Sequence, residues 1–335
     1  MSDNEGIFEQ GLGQNQANHQ PLTPLSFLTW AEGVYPDKTA VIHGNTSFTY
    51  REFAARCRRL ASALRRRGIG KGDTVSIMSP NAPPMLEAHF GVPMSGAVLN
   101  PLNFRLDAST IAFILNHGEA NILITDREFS PVIKDALAEL GRDITVIDID
   151  DPLANGGELL GEMDYDAFLG EGDPNFEDWP EDEWDAICLN YTSGTTGNPK
   201  GVVYHHRGAF LNAMGDVAVA GLNRDTVYLW TLPMFHCNGW CFTWGVTAAG
   251  GTHVCLRELD TAKVFPIIHE HGVNLMCGAP IVLNMLVHAP DEHKQSFPHI
   301  VNVMTGGAAP PSAVIAGMER LGCKVVHAYG LTETY

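Results

Sequence analysis

Short apolar runs rich in β-branched residues recur along the chain, separated by stretches in which apolar positions return at helical spacing. Strands are predicted at 74–78, 121–125, 144–149, 186–191, 226–231, 252–256, 273–276, 300–304 and 324–328. Most of these runs are apolar on both sides instead of alternating, which suits sheets covered on both faces. Strands alternating with helices imply the α/β class with largely parallel sheets.

The clearest helix covers 50–67. Thr49 and Glu52 have the spacing of a capping box, in which each side chain satisfies a free backbone N–H near the other. Phe53, Cys57, Leu60, Ala61 and Leu64 then recur on one face, and Gly68 supplies the stop. Arg58, Arg59, Arg65, Arg66 and Arg67 read as a solvated helix face, with a basic anion site as the alternative. Residues 162–185 hold eleven acidic side chains, no Lys or Arg, and several Gly and Pro. That composition predicts a surface linker, pinned by Phe168, Phe176, Trp179 and Trp184. The expected organisation is a loose polar arm at 1–24, a first α/β subdomain at 25–185 that includes the acidic linker, and a second at 186–335.

The 335 residues, 45% hydrophobic, can bury a sizeable core. No apolar run approaches the roughly 20 residues of a membrane span, and the first residues lack the profile of a secretory signal. A formal charge of −18 argues against nucleic acid or an anionic membrane as partner. It also means that a phosphate site must be built from local donors. Seven scattered cysteines without a C-x-x-C pair fit reduced thiols and a cytoplasmic location. Cys237 and Cys241 lack the second ligand pair that a zinc site needs.

The chemistry concentrates after the strand at 186–191. Thr192, Ser193, Gly194, Thr195, Thr196, Gly197, Asn198, Pro199, Lys200 and Gly201 combine hydroxyls, glycines and one lysine. Glycines let backbone N–H groups close on a polyanion, hydroxyls add donors, and Lys200 adds a point charge. The spacing is not that of a Walker A loop, because Pro199 stands at the second glycine position and Gly201 follows the lysine. Two further motifs follow in order: Leu232-Pro-Met-Phe-His236-Cys-Asn-Gly-Trp240, and Met304-Thr-Gly-Gly-Ala-Ala-Pro310 with His327-Ala-Tyr-Gly-Leu-Thr-Glu-Thr334.

Together these segments resemble the signatures of the AMP-forming adenylate superfamily of acyl-CoA synthetases, luciferases and peptide-synthetase adenylation domains. The likeness runs from Pro24 to Tyr335. It implies two packed, mostly parallel sheets flanked by helices, the layered αβαβα large domain of that family. It also implies site roles. Thr192, Ser193, Gly194, Thr195, Thr196, Gly197 and Lys200 would cradle the β- and γ-phosphates of ATP, and Thr192 with Glu333 would hold Mg²⁺. Thr332 would meet the α-phosphate. Gly307, Ala308, Ala309, His327, Ala328, Tyr329 and Gly330 would surround the adenine, with Tyr329 stacked on it. His236, Trp240, Gly306 and Gly307 would line the acyl site. Lys200, His236, Thr332 and Glu333 are the catalytic candidates.

The implied reaction joins a carboxylic acid to the α-phosphate of ATP, releases pyrophosphate, and passes the acyl group to coenzyme A. The run from His236 to Trp244 and on to Arg257 is similar to plant acyl-activating enzymes and bacterial methylmercaptopropionate-CoA ligases, which implies a short or medium acid, 3-methylthiopropionate among them. A luciferase-like oxidase, a carrier-protein adenylation domain or a non-catalytic nucleotide-binding protein are the alternatives. The residues leave oligomeric state open, a homodimer included. Family members continue past the Tyr-Gly-Leu-Thr-Glu motif with a barrel subdomain and a mobile C-terminal domain, so the expectation is an incomplete form with little turnover.

Overall fold

The computed structural model describes residues 6–8, 10–192 and 198–334. Its strands are β1 (Thr39–His43), β2 (Thr46–Thr49), β3 (Thr74–Met78), β4 (Val98–Pro101), β5 (Ala120–Asp126), β6 (Thr145–Ile149), β7 (Met163–Asp164), β8 (Ala186–Thr192), β9 (Lys200–His205), β10 (Val227–Leu229), β11 (Thr252–Val254), β12 (Leu275–Gly278), β13 (Val301–Thr305) and β14 (Cys323–His327). They form two seven-stranded sheets, ordered β7-β6-β5-β3-β4-β8-β9 and β14-β13-β12-β10-β11-β1-β2. Every pairing is parallel except the hairpins β1–β2 and β8–β9. The α/β class and the two mostly parallel sheets expected from the sequence are therefore present.

The layers follow from burial. The helix Pro83–Met94 is buried on every side, as a helix between two sheets must be. It shares one core with Val75 and Ile77 of the first sheet and with Val41, Tyr228 and Trp230 of the second. Separate cores cover the outer faces, one around Leu123, Ile114 and Ile133, the other around Val303, Phe265 and Leu283. Close approach is built in: a Cβ at Gly91 would sit 2.8 Å from the Cys57 carbonyl on the neighbouring helix.

The helix Tyr50–Arg66 starts as predicted, with Thr49 and Glu52 forming both capping-box bonds. Its arginines are only in part the expected solvated face: Arg65, Arg66 and Arg67 are exposed, but several are also paired. Arg58 is buried and binds Glu32 at 2.5 Å and Glu177 at 3.0 Å. Arg65 pairs with Asp178, and Arg67 with Glu162 and Glu171. The acidic stretch 162–185 thus lies along this helix, charge against charge. Reading each stretch alone hid the match because about a hundred residues separate them. Of the four aromatic pins, Phe168 is buried, Phe176 and Trp179 are partly buried, and Trp184 stays 66% exposed against His205.

The sheets exchange strands across residue 185, since β8 and β9 complete the first sheet while β1 and β2 edge the second. The strands that the apolar pattern did not reveal are β1, two that are short or polar (β2, β7) and two that carry Pro, Gly or charge (β4, β9). Residues 10–20 are exposed, and beyond them Leu22 N–H donates to Glu183 and Thr23 Oγ1 meets His206 Nδ1.

A buried charge cluster clamps one end of both sheets. Arg257, just past β11, donates to Asp126 at 2.8 and 3.1 Å, to Asp151 at 2.6 Å and to Glu128 at 2.6 Å. His43 Nε2 reaches the same Asp151 at 2.7 Å. Burial works to raise the Asp151 pKa, but the hydrogen bonds from His43 and Leu153 and the charge on Arg257 outweigh it and hold the carboxyl well below the usual range.

Candidate functional site

A cavity of about 580 Å³ opens where the β8–β9 hairpin of one sheet faces the ends of β13 and β14 in the other. In open α/β sheets, loops beyond the carboxyl ends of parallel strands form natural crevices. Thr192 ends β8 and Lys200 begins β9, and the two are register partners. Directly opposed residues in an antiparallel pair have Cα atoms about 5 Å apart, so the hairpin presents a hydroxyl and an ammonium side by side. Ser193, Gly194, Thr195, Thr196 and Gly197, expected to cradle phosphate, lie outside the described residues.

The opposite wall comes from the turns after β13 and β14. Gly306 and Gly307 follow β13, and Ala328, Tyr329, Gly330, Thr332 and Glu333 follow β14; all line the cavity. Thr332 is fixed from two sides. Its carbonyl accepts from Tyr204 Oη at 2.6 Å, and its hydroxyl lies 3.3 Å from Cys237 Sγ. Tyr329 stands 87% exposed on the rim. Ala308, Ala309 and His327, expected near adenine, are exposed and do not line the cavity.

The third wall is the segment 236–241. Cys237, Asn238, Gly239, Trp240 and Cys241 all have positive φ, between 45° and 61°, a left-handed turn of five successive residues. Non-glycine residues resist this conformation by about 1–2 kcal/mol each, so the surroundings must hold it. Asn238 is fully buried, accepting from Asn190 Nδ2 at 2.7 Å and donating to Cys188 Sγ at 3.3 Å. Gly239 presses on Trp230, where a Cβ would stand 2.5 Å from Cζ3. Asn81, from the other sheet's side, binds the Trp230 and Leu232 carbonyls and accepts from Met234 N–H.

This turn sets His236 on the cavity wall, partly open to solvent. Burial of the rest of the ring, and the charge on Arg105, pull its pKa below the ordinary value. Trp240 folds over Gly306, where an added Cβ would be 2.9 Å from Cη2 and 3.1 Å from the Ala328 carbonyl. One cavity thus gathers the separate sequence motifs.

The family model described as AMP-binding enzyme matches residues 28–335. The chain belongs to the AMP-binding enzyme family. It is 48% identical to an acetate–CoA ligase of Humulus lupulus over 97% of this chain and 60% of that protein. It is 47% identical to a peroxisomal acetate/butyrate–CoA ligase of Arabidopsis thaliana, over 95% of this chain and 58% of that protein. It therefore spans about three fifths of the length of these curated relatives. Among solved structures, the inhibitor-bound N-terminal domain of FACL13 from Mycobacterium tuberculosis superposes with a TM-score of 0.82 at 28% identity, covering 93% of this chain and 76% of that one.

The cavity of this AMP-binding family member carries groups that could hold a nucleotide with a hard cation. Glu333 offers carboxylate oxygens, and Thr192 and Thr332 offer hydroxyls, on the same cavity as Lys200. Among the described residues no cluster of three or more His, Cys, Asp or Glu gathers as a metal cage. A single carboxylate suits Mg²⁺, which keeps several water and phosphate oxygens. No helix is long and apolar enough to cross a membrane.

Sequence reasoning passed over Asn198, Asn212, Asp216, Phe242 and Leu331, which also line the cavity. Asp216 had a signal: it stands four residues after Asn212 on the stripe of Ala209 and Ala213, which are buried. Burial pushes its carboxyl up to about 8, and its buried Oδ2 has no hydrogen-bond partner.

Proposed function

We propose that this chain supplies the nucleotide and carboxylate site of an AMP-forming acid–thiol ligase. The reaction joins a short or medium carboxylic acid to ATP as an acyl-adenylate, releases pyrophosphate, and then forms the coenzyme A thioester. The observation that carries this reading is the single cavity shared by the phosphate candidates Thr192 and Lys200, the candidates Tyr329, Thr332 and Glu333 for the nucleotide, and the acyl candidates His236, Trp240 and Gly306.

A carboxylate is a poor electrophile, so activation needs its oxygen held in line with the α-phosphorus of ATP. Lys200 offsets charge on the leaving pyrophosphate, and Thr332, fixed by Tyr204 and Cys237, donates to the α-phosphate. Tyr329 offers its face to the adenine beside Gly307 and Ala328. Glu333 and Thr192 would hold Mg²⁺, which would supply charge to offset that of the phosphates. His236, kept neutral by its lowered pKa, borders the acid without repelling or over-binding its carboxylate.

The acetate and acetate/butyrate specificities named for the relatives support a short acyl chain, as does Trp240 packed onto Gly306; 3-methylthiopropionate belongs to the same size class. The partners are small molecules. Seven buried free cysteines support a reducing compartment, the cytoplasm in our reading, with the peroxisome as alternative since the Arabidopsis relative is peroxisomal.

ATP–pyrophosphate exchange, measured on the full chain against straight-chain acids of increasing length and 3-methylthiopropionate, tests the proposal. Exchange that depends on both acid and Mg²⁺ is expected, and Glu333→Gln should reduce it about 10²-fold or more. Exchange that is absent with every acid overturns the reading. Exchange without coenzyme A-dependent thioester formation would assign the chain to another adenylate-former.

A further inference from the structure

The cavity extends past Trp240 to a floor that the ligase reading leaves unexplained. Its residues are Asn212 and Asp216 on the helix His206–Ala220, facing Phe242 and Met304. Asp216 lies against the helix Phe242–Ala248, its Cβ 3.5 Å from where a Cβ on Gly245 would stand. It is within electrostatic reach of Tyr228, Cys241 and Cys277, all fully buried and all uncharged at neutral pH because burial pushes their pKa values up. No lysine, arginine or histidine is bonded to it, and Oδ2 is closed off from solvent without a partner. Tyr228 Oη, on the same side of the core, also lacks a hydrogen-bond partner.

A polar group buried without a partner is costly, and proteins rarely keep one. Here the carboxyl belongs to a residue that lines the cavity, where a ligand would meet Asp216. The other floor groups are aromatic or sulfur-bearing, so the polar demand is confined to one helix face. Residues four apart on a helix point the same way, which sets the Asn212 amide beside the Asp216 carboxyl.

We propose that Asp216, with Asn212, is a specificity-determining residue at the floor of the acyl pocket, selecting carboxylic acids whose far end carries an uncharged hydrogen-bond acceptor such as an oxo or hydroxyl oxygen. This rests on the ligase reading of the same cavity. A neutral carboxyl donates its O–H to such an oxygen, and the Asn212 amide adds a second donor. The Asn212 amide already has a hydrogen bond with Cys241, so a plain alkyl tail leaves the Asp216 carboxyl unpaired, and a site built to hydrogen-bond a group discriminates against its unsubstituted analogue.

The test compares matched acids in ATP–pyrophosphate exchange on the full chain: valerate against its oxo analogue laevulinate, butyrate against γ-hydroxybutyrate, and the cationic δ-aminovalerate. Calorimetric binding of each acid in the presence of AMP gives a readout independent of turnover. The oxygenated member of at least one pair should be favoured about tenfold or more, mainly through KM. Asp216→Leu should reverse that preference toward the alkyl acid, whereas Asp216→Asn, which still donates, should retain part of it. If the leucine variant does not fold, loss of discrimination in Asn212→Leu serves the same purpose. Equal use of alkyl and oxygenated acids overturns this inference while leaving the ligase reading intact. A preference for δ-aminovalerate also overturns it, in favour of an ionised Asp216 that pairs with a cation. Failure of every acid to bind or exchange overturns both.

Discussion

Two buried acidic sites in this molecule have opposite characters. Around Arg257, three carboxylates from the first sheet's side converge on one guanidinium, and His43 adds a fourth contact. Around Asp216 there is no cation, and one carboxylate oxygen has no partner at all. The first site joins the two sheets and is closed to ligands. The second stands on a cavity wall. The carboxylates of the first site all meet the guanidinium, although His43 Nδ1 beside them has no partner, whereas Asp216 on the cavity wall meets no cation among the described residues.

The hardest blow to the first site is Arg257→Leu. It strands Asp126, Asp151 and Glu128 without their cation, and should cost about 3–5 kcal/mol in urea unfolding. An unchanged midpoint would mean that the cluster is ornamental and the contrast empty. At the open site the sign inverts. Asp216→Asn should stabilise the protein by about 1 kcal/mol or more at pH 9, a figure discounted for water in the cavity. The raised pKa makes the folded state hold a proton that the unfolded state has released. Stability from this group is therefore complete below pH about 4 and lost as pH rises through about 8. The gain from the asparagine should accordingly vanish at pH 4. Tyr228, Cys241 and Cys277 stay uncharged across that window and do not blur it. Thr49→Ala, which removes one capping partner of the helix Tyr50–Arg66, should cost about 1 kcal/mol. Smallest of all is Lys134→Ala, which breaks an exposed pair with Glu158 and should leave the thermal midpoint unmoved.

Much of the fold was legible because parallel strands under helices are written as mostly apolar runs, as in β3, β5 and β13, although Ser76, Asn121 and Asn302 interrupt them. The hairpin β8–β9 was half visible. Its first strand is apolar, but Lys200-Gly201 opens the second, and no local pattern predicts that this segment returns antiparallel. The motifs named most of the cavity wall, including Thr192, Lys200, His236, Trp240, Gly306 and Glu333. Asp216 and Asn212 escaped because they lie in no motif and only the packing of two helices turns them toward the cavity. The arginine face was misread in part, for a related reason: its counterions come from a segment distant in sequence, and single-helix reasoning assigns unmatched charge to water.

The left-handed turn at 237–241 limits how this protein can change over generations. Asn238 is bonded on both sides, Gly239 has no room for a methyl group against Trp230, and Cys241 is fully enclosed. Almost any substitution there endangers the whole turn, and with it the placing of His236. Change in what the cavity holds must come from outside this turn, and the helix face at Asn212 and Asp216 is one part of the wall that the turn does not constrain in this way.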